Sequence, residues 1–442
     1  MKKSKIIAVV ALVVASTAGL QAASFVVSPG QSIQEAINAA SAGDNITVQT
    51  GNYNENLTIG KGLDIRGAGG AVLVTGTLTI TNVTTPVYIA DISFGKSGTS
   101  GITVTGSSNV RFDRINIVEN GHLSATNSTF YSYKCNFRTV QFAGCTWTLQ
   151  RTEISGGLNS SVSTAKLIAS TVNSNFGHSN GELTVFQSNL KELCDVVLTA
   201  SQKSWICYNS VRCLQIKGGT SEVVGNVMEG RDRNDYFIQV MGGAVTMIRN
   251  NTLWNDGRNY YDPGYSSGRG WRDGATAIRL LGDAGMTRIF NNTIRDVFQG
   301  IEVQGSPAGV EIRGNIHREH LPGNPNYSVS TGYAGTIISH NNFQYAVNGG
   351  VQSNNINVDP QFGNHSVLGA SSPSRNAGPP DAIYNDIDGS RNDQGAYGGH
   401  SYDPEGRTTL KPVVLSGDVS PLYVKRGGAV TVRARAAVAA AP

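Results

Sequence analysis

Residues 247–254 read MIRNNTLW and residues 288–295 read RIFNNTIR: apolar residues, a small polar pair, then apolar residues again. The same pattern runs through QFAGCTWT (141–148), KLIASTVN (166–173), TVFQSNLK (184–191), WICYNSVR (205–212), EVVGNVME (222–229), EIRGNIHR (311–318) and IISHNNFQ (337–344). The second member of each pair falls at Cys145, Ser170, Ser188, Asn209, Asn226, Asn251, Asn292, Asn315 and Asn341. Apart from one interval of 41 residues, between Asn251 and Asn292, these positions are about 22 residues apart on average, a period that signals a solenoid.

Each unit is strand–turn–strand with no amphipathic helix, which excludes stacked helix pairs, and the regular Leu/Asn consensus of leucine-rich repeats is missing. A coil of about 22 residues holding two or three short strands is a parallel β-helix. The asparagine column fits that geometry. Asn tolerates the left-handed conformation of a tight corner, and amides stacked about 4.8 Å apart can hydrogen-bond along the column. The one helical stretch is SIQEAINAA, residues 32–40, where Ile33, Ala36, Ile37 and Ala40 recur at helical spacing and Ser32 with Glu35 makes a capping box. Placed before the first strands, this helix is expected to cover the open end of the core.

Composition agrees. The 442 residues include 53 glycines, and only 15% are charged, which excludes coiled coils and acidic disordered chains. Met1 to Lys5 is a basic region, Ile6 to Leu20 is apolar, and Ala22-Ala23 is a small-residue cleavage site, so residues 1–22 read as a Sec-type signal peptide of a secreted or cell-surface protein. Removing Lys2, Lys3 and Lys5 leaves 32 basic against 31 acidic residues, a net charge of +1. That near-neutrality leaves no footprint for nucleic acid, and no later segment is apolar enough to span a membrane. The five cysteines, Cys135, Cys145, Cys194, Cys207 and Cys213, read as buried small hydrophobes, with a Cys207–Cys213 bridge as the alternative. The β-helix is expected over residues 23–402. Residues 403–442 form a separate appendage, in which PVVLSG and PLYVKRGGAVTV alternate as two short strands and AAVAAAP is a low-complexity tail.

The stretch SIQEAINAASAGDNITVQTGNYNENLTI, residues 32–59, resembles the opening of the pectin-lyase-like right-handed β-helix superfamily. INVDPQFGN … SSPSRNAG … NDIDGSRNDQGAYGG, within residues 356–399, resembles the closing segment of secreted bacterial β-helix surface proteins. The resemblance implies an all-β fold: a single-stranded right-handed parallel β-helix of about a dozen coils, with an N-terminal capping helix and a small C-terminal β appendage. It does not imply one chemistry, because this fold carries lyases, hydrolases, esterases, epimerases and non-catalytic adhesins.

The 41-residue interval is the irregularity that points to a site. It holds NDGRNYYDPGYSSGRGWRDG, residues 255–274, with Tyr260, Tyr261, Tyr265, Trp271, Arg258, Arg269, Arg272, Asp256, Asp262 and Asp273. Long loops on a rigid solenoid carry function, and aromatic rings beside Arg and Asp suit sugar faces and sugar hydroxyls. The preceding coil has GRDRNDY, residues 230–236, at the same phase, with Arg231, Asp232, Arg233, Asp235 and Tyr236. Arg295, Asp296, Arg318, Glu319 and His320 continue the stripe on later coils, and Lys191, Glu192 and Arg212 on earlier ones.

Two chemistries fit such a stripe. Elimination from a uronate needs a cation at the carboxylate and a base for the adjacent proton. Hydrolysis needs two carboxylates about 5–9.5 Å apart. Asp256, Asp262, Arg269, Arg272 and Asp273 are the catalytic candidates, and Arg231, Asp232, Arg233, Asp235, Tyr236, Arg258, Tyr260, Tyr261, Tyr265, Trp271, Arg295 and Asp296 are the substrate-binding candidates. The signatures GHG, RIK, DFIFG and RxPxxR are absent. Asp386, Asp388 and Asp393 surround a turn that either satisfies its own backbone or takes calcium, and no other cofactor is expected. The expected partner is an extracellular polysaccharide bound by a monomer, and the alternative is a non-catalytic, adhesin-like surface protein.

Overall fold

The computed structural model describes residues 22–439 apart from 96–100, 119–120, 162–163, 231–235, 256–275, 320–326, 400–402, 404–405 and 421–430. The chain winds as a parallel β-solenoid of about 13 turns, 51% strand and 3% helix. Each turn offers three strand positions, here named sheets A, B and C in the order the chain visits them. Sheet A has sixteen strands in unbroken coil-to-coil sequence. One coil illustrates the unit: Val245–Arg249 in sheet A, Thr252–Asn255 in sheet B and Thr276–Leu280 in sheet C. Alternation in each strand turns one set of side chains inward, so Ile248, Leu253, Ile278 and Leu280 are all fully buried. Stacking of successive coils makes the core continuous. Its most aromatic stretch is Phe112, Phe130, Phe142 and Trp147, with ring centroids 5.0–5.6 Å apart. All five cysteines are free and buried, so Cys207 and Cys213 are not bridged.

The corner from sheet A to sheet B carries the polar column. The amide Nδ2 of each asparagine donates to Oδ1 of the next through Asn209, Asn226, Asn251, Asn292, Asn315 and Asn341, at 2.9–3.0 Å. Asn355 continues the column beyond Asn341. Toward the N-terminus Ser188, Ser170 and Thr152 take the same position, with Thr152 N donating to Ser170 Oγ at 3.0 Å. Cys145 is not a member. It lies at the other corner, between the sheet C strand Thr139–Ala143 and the sheet A strand Thr146–Gln150. Both corners pair a small residue with a polar or small one, so Gly144-Cys145 looks like Gly225-Asn226 until hydrogen bonds set the register.

The left-handed conformation falls on the first member of the pair rather than on the ladder residue. Asn250, Asn291 and His340 have φ near +50 to +56°, and glycine does the same work at Gly225 and Gly314. That reversal aims the second side chain inward along the axis and the first one outward.

The helix Ile33–Ala39 buries Ile33 and Ile37 on the core. Ser32 Oγ accepts from Glu35 N at 3.1 Å, as a capping box requires. The reciprocal carboxylate comes from the next coil instead: Glu55 accepts from Ser32 Oγ, Ile33 N and Gln34 N at 2.7–3.0 Å.

After the last coil the chain turns back along the outside. Asn250 Nδ2 donates to the carbonyls of Ala396 and Gly398, and Asn291 Nδ2 donates to Asn392 Oδ1 and the Asp393 carbonyl. Farther back, Gln187 Nε2 donates to the carbonyls of Gly406 and Thr409 at 2.8 Å. The strands Val413–Ser420 and Thr431–Ala437 then pair as an antiparallel hairpin. Val413, Leu415, Ala437 and Ala439 pack on an apolar patch made of Ile168, Phe186, Trp205, Cys207, Tyr208 and Val224. Arg435 pins this contact, with its guanidinium 3.6 Å from the Trp205 ring centroid and 3.2 Å from Glu182.

Candidate functional site

The two stretches named from the sequence fall, in chain order, between a sheet B strand and the next sheet C strand. Arg231, Asp232, Arg233, Asp235, Asp256, Arg258, Tyr260, Tyr261, Asp262, Tyr265, Arg269, Trp271, Arg272, Asp273 and His320 lie outside the described residues. The residues that bracket the excursions are in register, Gly230 opposite Asn255 and Tyr236 opposite Thr276.

Of the candidates that are described, Tyr236 opens a sheet C strand. Burial, reinforced by Cys213, pushes its hydroxyl up to about 12, so it holds its proton at neutral pH. The Arg279 guanidinium lies 5.9 Å from its ring centroid and donates to Glu302 at 2.9 Å. Arg295 stacks in register between Trp254 and Arg318 at the end of sheet B. The returning chain engages it, because Nη1 donates to Ser366 Oγ at 2.8 Å and the guanidinium sits 5.4 Å from the Phe362 ring centroid. Arg318 donates to Asn342 and Asn357. Asp296 is 9% exposed at a corner with φ +54°. Glu192 pairs with Arg212 at 2.7 Å on an earlier coil.

A second feature shares sheet C and was not singled out in the sequence. The central outward residues of sheet C form one register column: Thr103, Ser124, Gln141, Asn159, Gly177, Asp195, Gln215, Gln239, Arg279, Glu302 and Ser330. Over coils 124–197 this face is hollowed into a groove of about 490 Å³, floored by Ser124, Thr126, Gln141, Asn159, Ser161, Gly177, Ser179 and Asp195. Gly177 deepens the hollow: a Cβ there would stand 3.0 Å from Asn159 Oδ1, so glycine leaves room for the neighbouring amide along the floor. The signal in the sequence is a polar or glycine residue between two inward residues, as in LSA, VQF, LNS and FGH. His178, between Gly177 and Ser179, points inward, where its ring meets Ser160 Oγ and the Gly181 carbonyl; burial lowers its affinity for a proton.

Farther along the column the charges are matched. Lys217 Nζ stands 3.8 Å from Asp195, Gln215 Nε2 donates to Gln239 Oε1 at 2.7 Å, and Arg279 holds Glu302. Among the described residues no group of three or more His, Cys, Asp or Glu could hold a metal ion. In the aspartate turn, Asp388 accepts from Ser390 N and Oγ, Asp386 accepts from Asp393 N, and Asp393 accepts from Asn376 N. No described helix is long and apolar enough to cross a membrane.

No family model matches the chain, and no curated protein matches it in sequence. Among solved structures it is similar to a tailspike protein of bacteriophage CBA120, with a TM-score of 0.47 and 11% identity over 79% of this chain and 61% of that one. It is also similar to a PL6-family alginate lyase, with a TM-score of 0.30 and 11% identity over 79% of this chain and 56% of that one. A pectate lyase matches with a TM-score of 0.26 and 12% identity over 86% of this chain and 97% of that one. The chain therefore spans about three fifths of the tailspike's length.

Proposed function

We propose that the protein is exported and binds a linear extracellular polysaccharide along the outer face of sheet C. The observation that carries this reading is the groove of coils 124–197, a shallow, open channel along the solenoid axis floored by hydroxyl and amide side chains together with Ala143, Asp195 and Val197. Rungs about 4.8 Å apart present such groups at nearly the spacing of sugar units in an extended chain. The leader of residues 1–22 supports export.

One observation favours binding without cleavage. Asp195 and Glu302 are the carboxylates of the column, and Gln215, Gln239 and Arg279 separate them. Four rungs are roughly 19 Å, twice the reach of a hydrolytic carboxylate pair. Cleavage would therefore draw on Asp256, Asp262, Arg269, Arg272 or Asp273.

Affinity electrophoresis of the mature chain in gels cast with a panel of polysaccharides tests the reading, run beside assays for new reducing ends and unsaturated uronate. Retardation without product supports a binding protein, and product that disappears in the Arg272→Ala/Asp273→Ala variant supports an enzyme. No retardation and no product on any polymer would sink the proposal.

A further inference from the structure

Resting on that reading, we infer that the groove of sheet C takes an uncharged glycan rather than a uronate. The inference comes from the charge balance of the floor. From Ser124 to Ser179 the floor carries no ionisable side chain that faces outward, but hydroxyls, a glycine, Ala143 and the amides of Gln141 and Asn159. Those two amides are exposed on successive rungs, and no hydrogen bond among the described residues engages either side chain. Each offers two donors and an acceptor, the set that a pair of adjacent sugar hydroxyls satisfies.

The first charge met along the column is a carboxylate, Asp195, and the cations beyond it are already committed. Lys217 faces Asp195 at 3.8 Å, and Arg279 donates to Glu302 at 2.9 Å. Arg212, beside the column, donates to Glu192 at 2.7 Å. A polyanion laid on this floor would place a carboxylate on every sugar against neutral amides and then against Asp195. It would lose water from those carboxylates with no cation among the described residues of the groove floor in return, which is unfavourable. A polycation would find a single carboxylate already beside a lysine. A neutral chain loses hydroxyl–water hydrogen bonds and regains them from the amides at little net cost.

The test is binding of the full mature chain, by affinity electrophoresis and calorimetry, to neutral glucans, mannans, xylans and galactans beside alginate and polygalacturonate. The variants are Gln141→Ala/Asn159→Ala and, with one amide intact, Asn159→Ala alone; circular dichroism confirms their fold. The expected result is retention on a neutral polymer, with affinity that changes little between low and high salt. The double variant should lose about tenfold in affinity, the worth of two ordinary hydrogen bonds, and the single variant about threefold. Tighter, salt-sensitive binding of a uronate that the double variant weakens would overturn the neutral-glycan inference and leave the groove as the binding site. Neutral-glycan binding that both variants leave unchanged would remove the groove itself, and with it this inference.

Discussion

Asn251 Nδ2 donates to Asn292 Oδ1 at 2.9 Å across 41 residues of chain. Neighbouring rungs span 17 to 26 residues with the same geometry. An insertion of about twenty residues thus leaves the ladder unbroken, because both its ends are fixed by strand pairing before and after it. That independence of scaffold and loop is how a solenoid can carry an excursion at little cost to its core.

The ladder should be costly to interrupt. Asn292 Oδ1 accepts from both N and Nδ2 of Asn251, and its own Nδ2 donates to the Ile248 carbonyl. Asn292→Ala strands these fully buried groups and is expected to lower stability by about 2–4 kcal/mol. Asn292→Ser keeps an acceptor, as Ser188 does for Ser170 N, and should cost less. Thermal unfolding of the two variants beside the parent checks the order. Equal midpoints for all three would show that the column is decorative.

Glu55, rather than Glu35, completes the helix cap. Replacing Glu55 with Ala removes three hydrogen bonds at the start of the helix and should cost about 1–2 kcal/mol. Glu35→Ala should stay within about 0.5 kcal/mol. Denaturant midpoints for the two variants decide between the two carboxylates, and a larger loss at Glu35 would contradict the structure.

The C-terminal hairpin shields a thiol. Cys207 faces out of sheet A into the patch covered by Val413, Leu415, Ala437 and Ala439, and burial pushes its thiol up to about 12. In the intact protein a thiol reagent at pH 8 should find no reactive cysteine. Deleting residues 403–442 should expose Cys207 alone, shift the Trp205 fluorescence to the red and raise hydrophobic-dye binding. Full protection of Cys207 after the deletion would mean that the hairpin does not seat there.

His317 predicts an acid sensitivity. It is fully buried, with Nδ1 against Ser328 Oγ, and burial beside Arg318 lowers its pKa to about 3 from an ordinary 6.5. Below pH 6.5 the unfolded chain binds a proton that the folded one refuses, so stability falls as pH drops from 6.5 toward 3 and is complete above 6.5. The loss at pH 5 is about 2 kcal/mol. In His317→Leu this component disappears, so the decline between pH 7 and pH 5 should be shallower. A variant with the parent's pH profile would assign the sensitivity elsewhere.

The sequence was legible where one side chain answers to one local rule. The asparagine repeated from Asn209 to Asn341, the amphipathic spacing of Ile33 and Ile37, and the alternation within each strand announce a capped parallel β-helix without coordinates. The sheet C column was harder to read, because Gln141, Asn159 and Gly177 resemble any polar strand residues until their rungs are aligned. The corner that holds Cys145 is hidden for the same reason, since Gly144-Cys145 matches the ladder pairs in sequence alone.

The amino-acid order alone determined the winding of the chain, the polar column and the lid, since each follows from a repeat and from the side of a strand on which a residue points. Tertiary structure decided the rest. It selected Glu55 over Glu35 at the cap, gathered residues 103 to 330 into one face, and folded the tail back so that Asn250 and Asn291 clasp it. Those choices depend on which coil comes to rest against which, a register set by backbone hydrogen bonds between residues far apart in the chain.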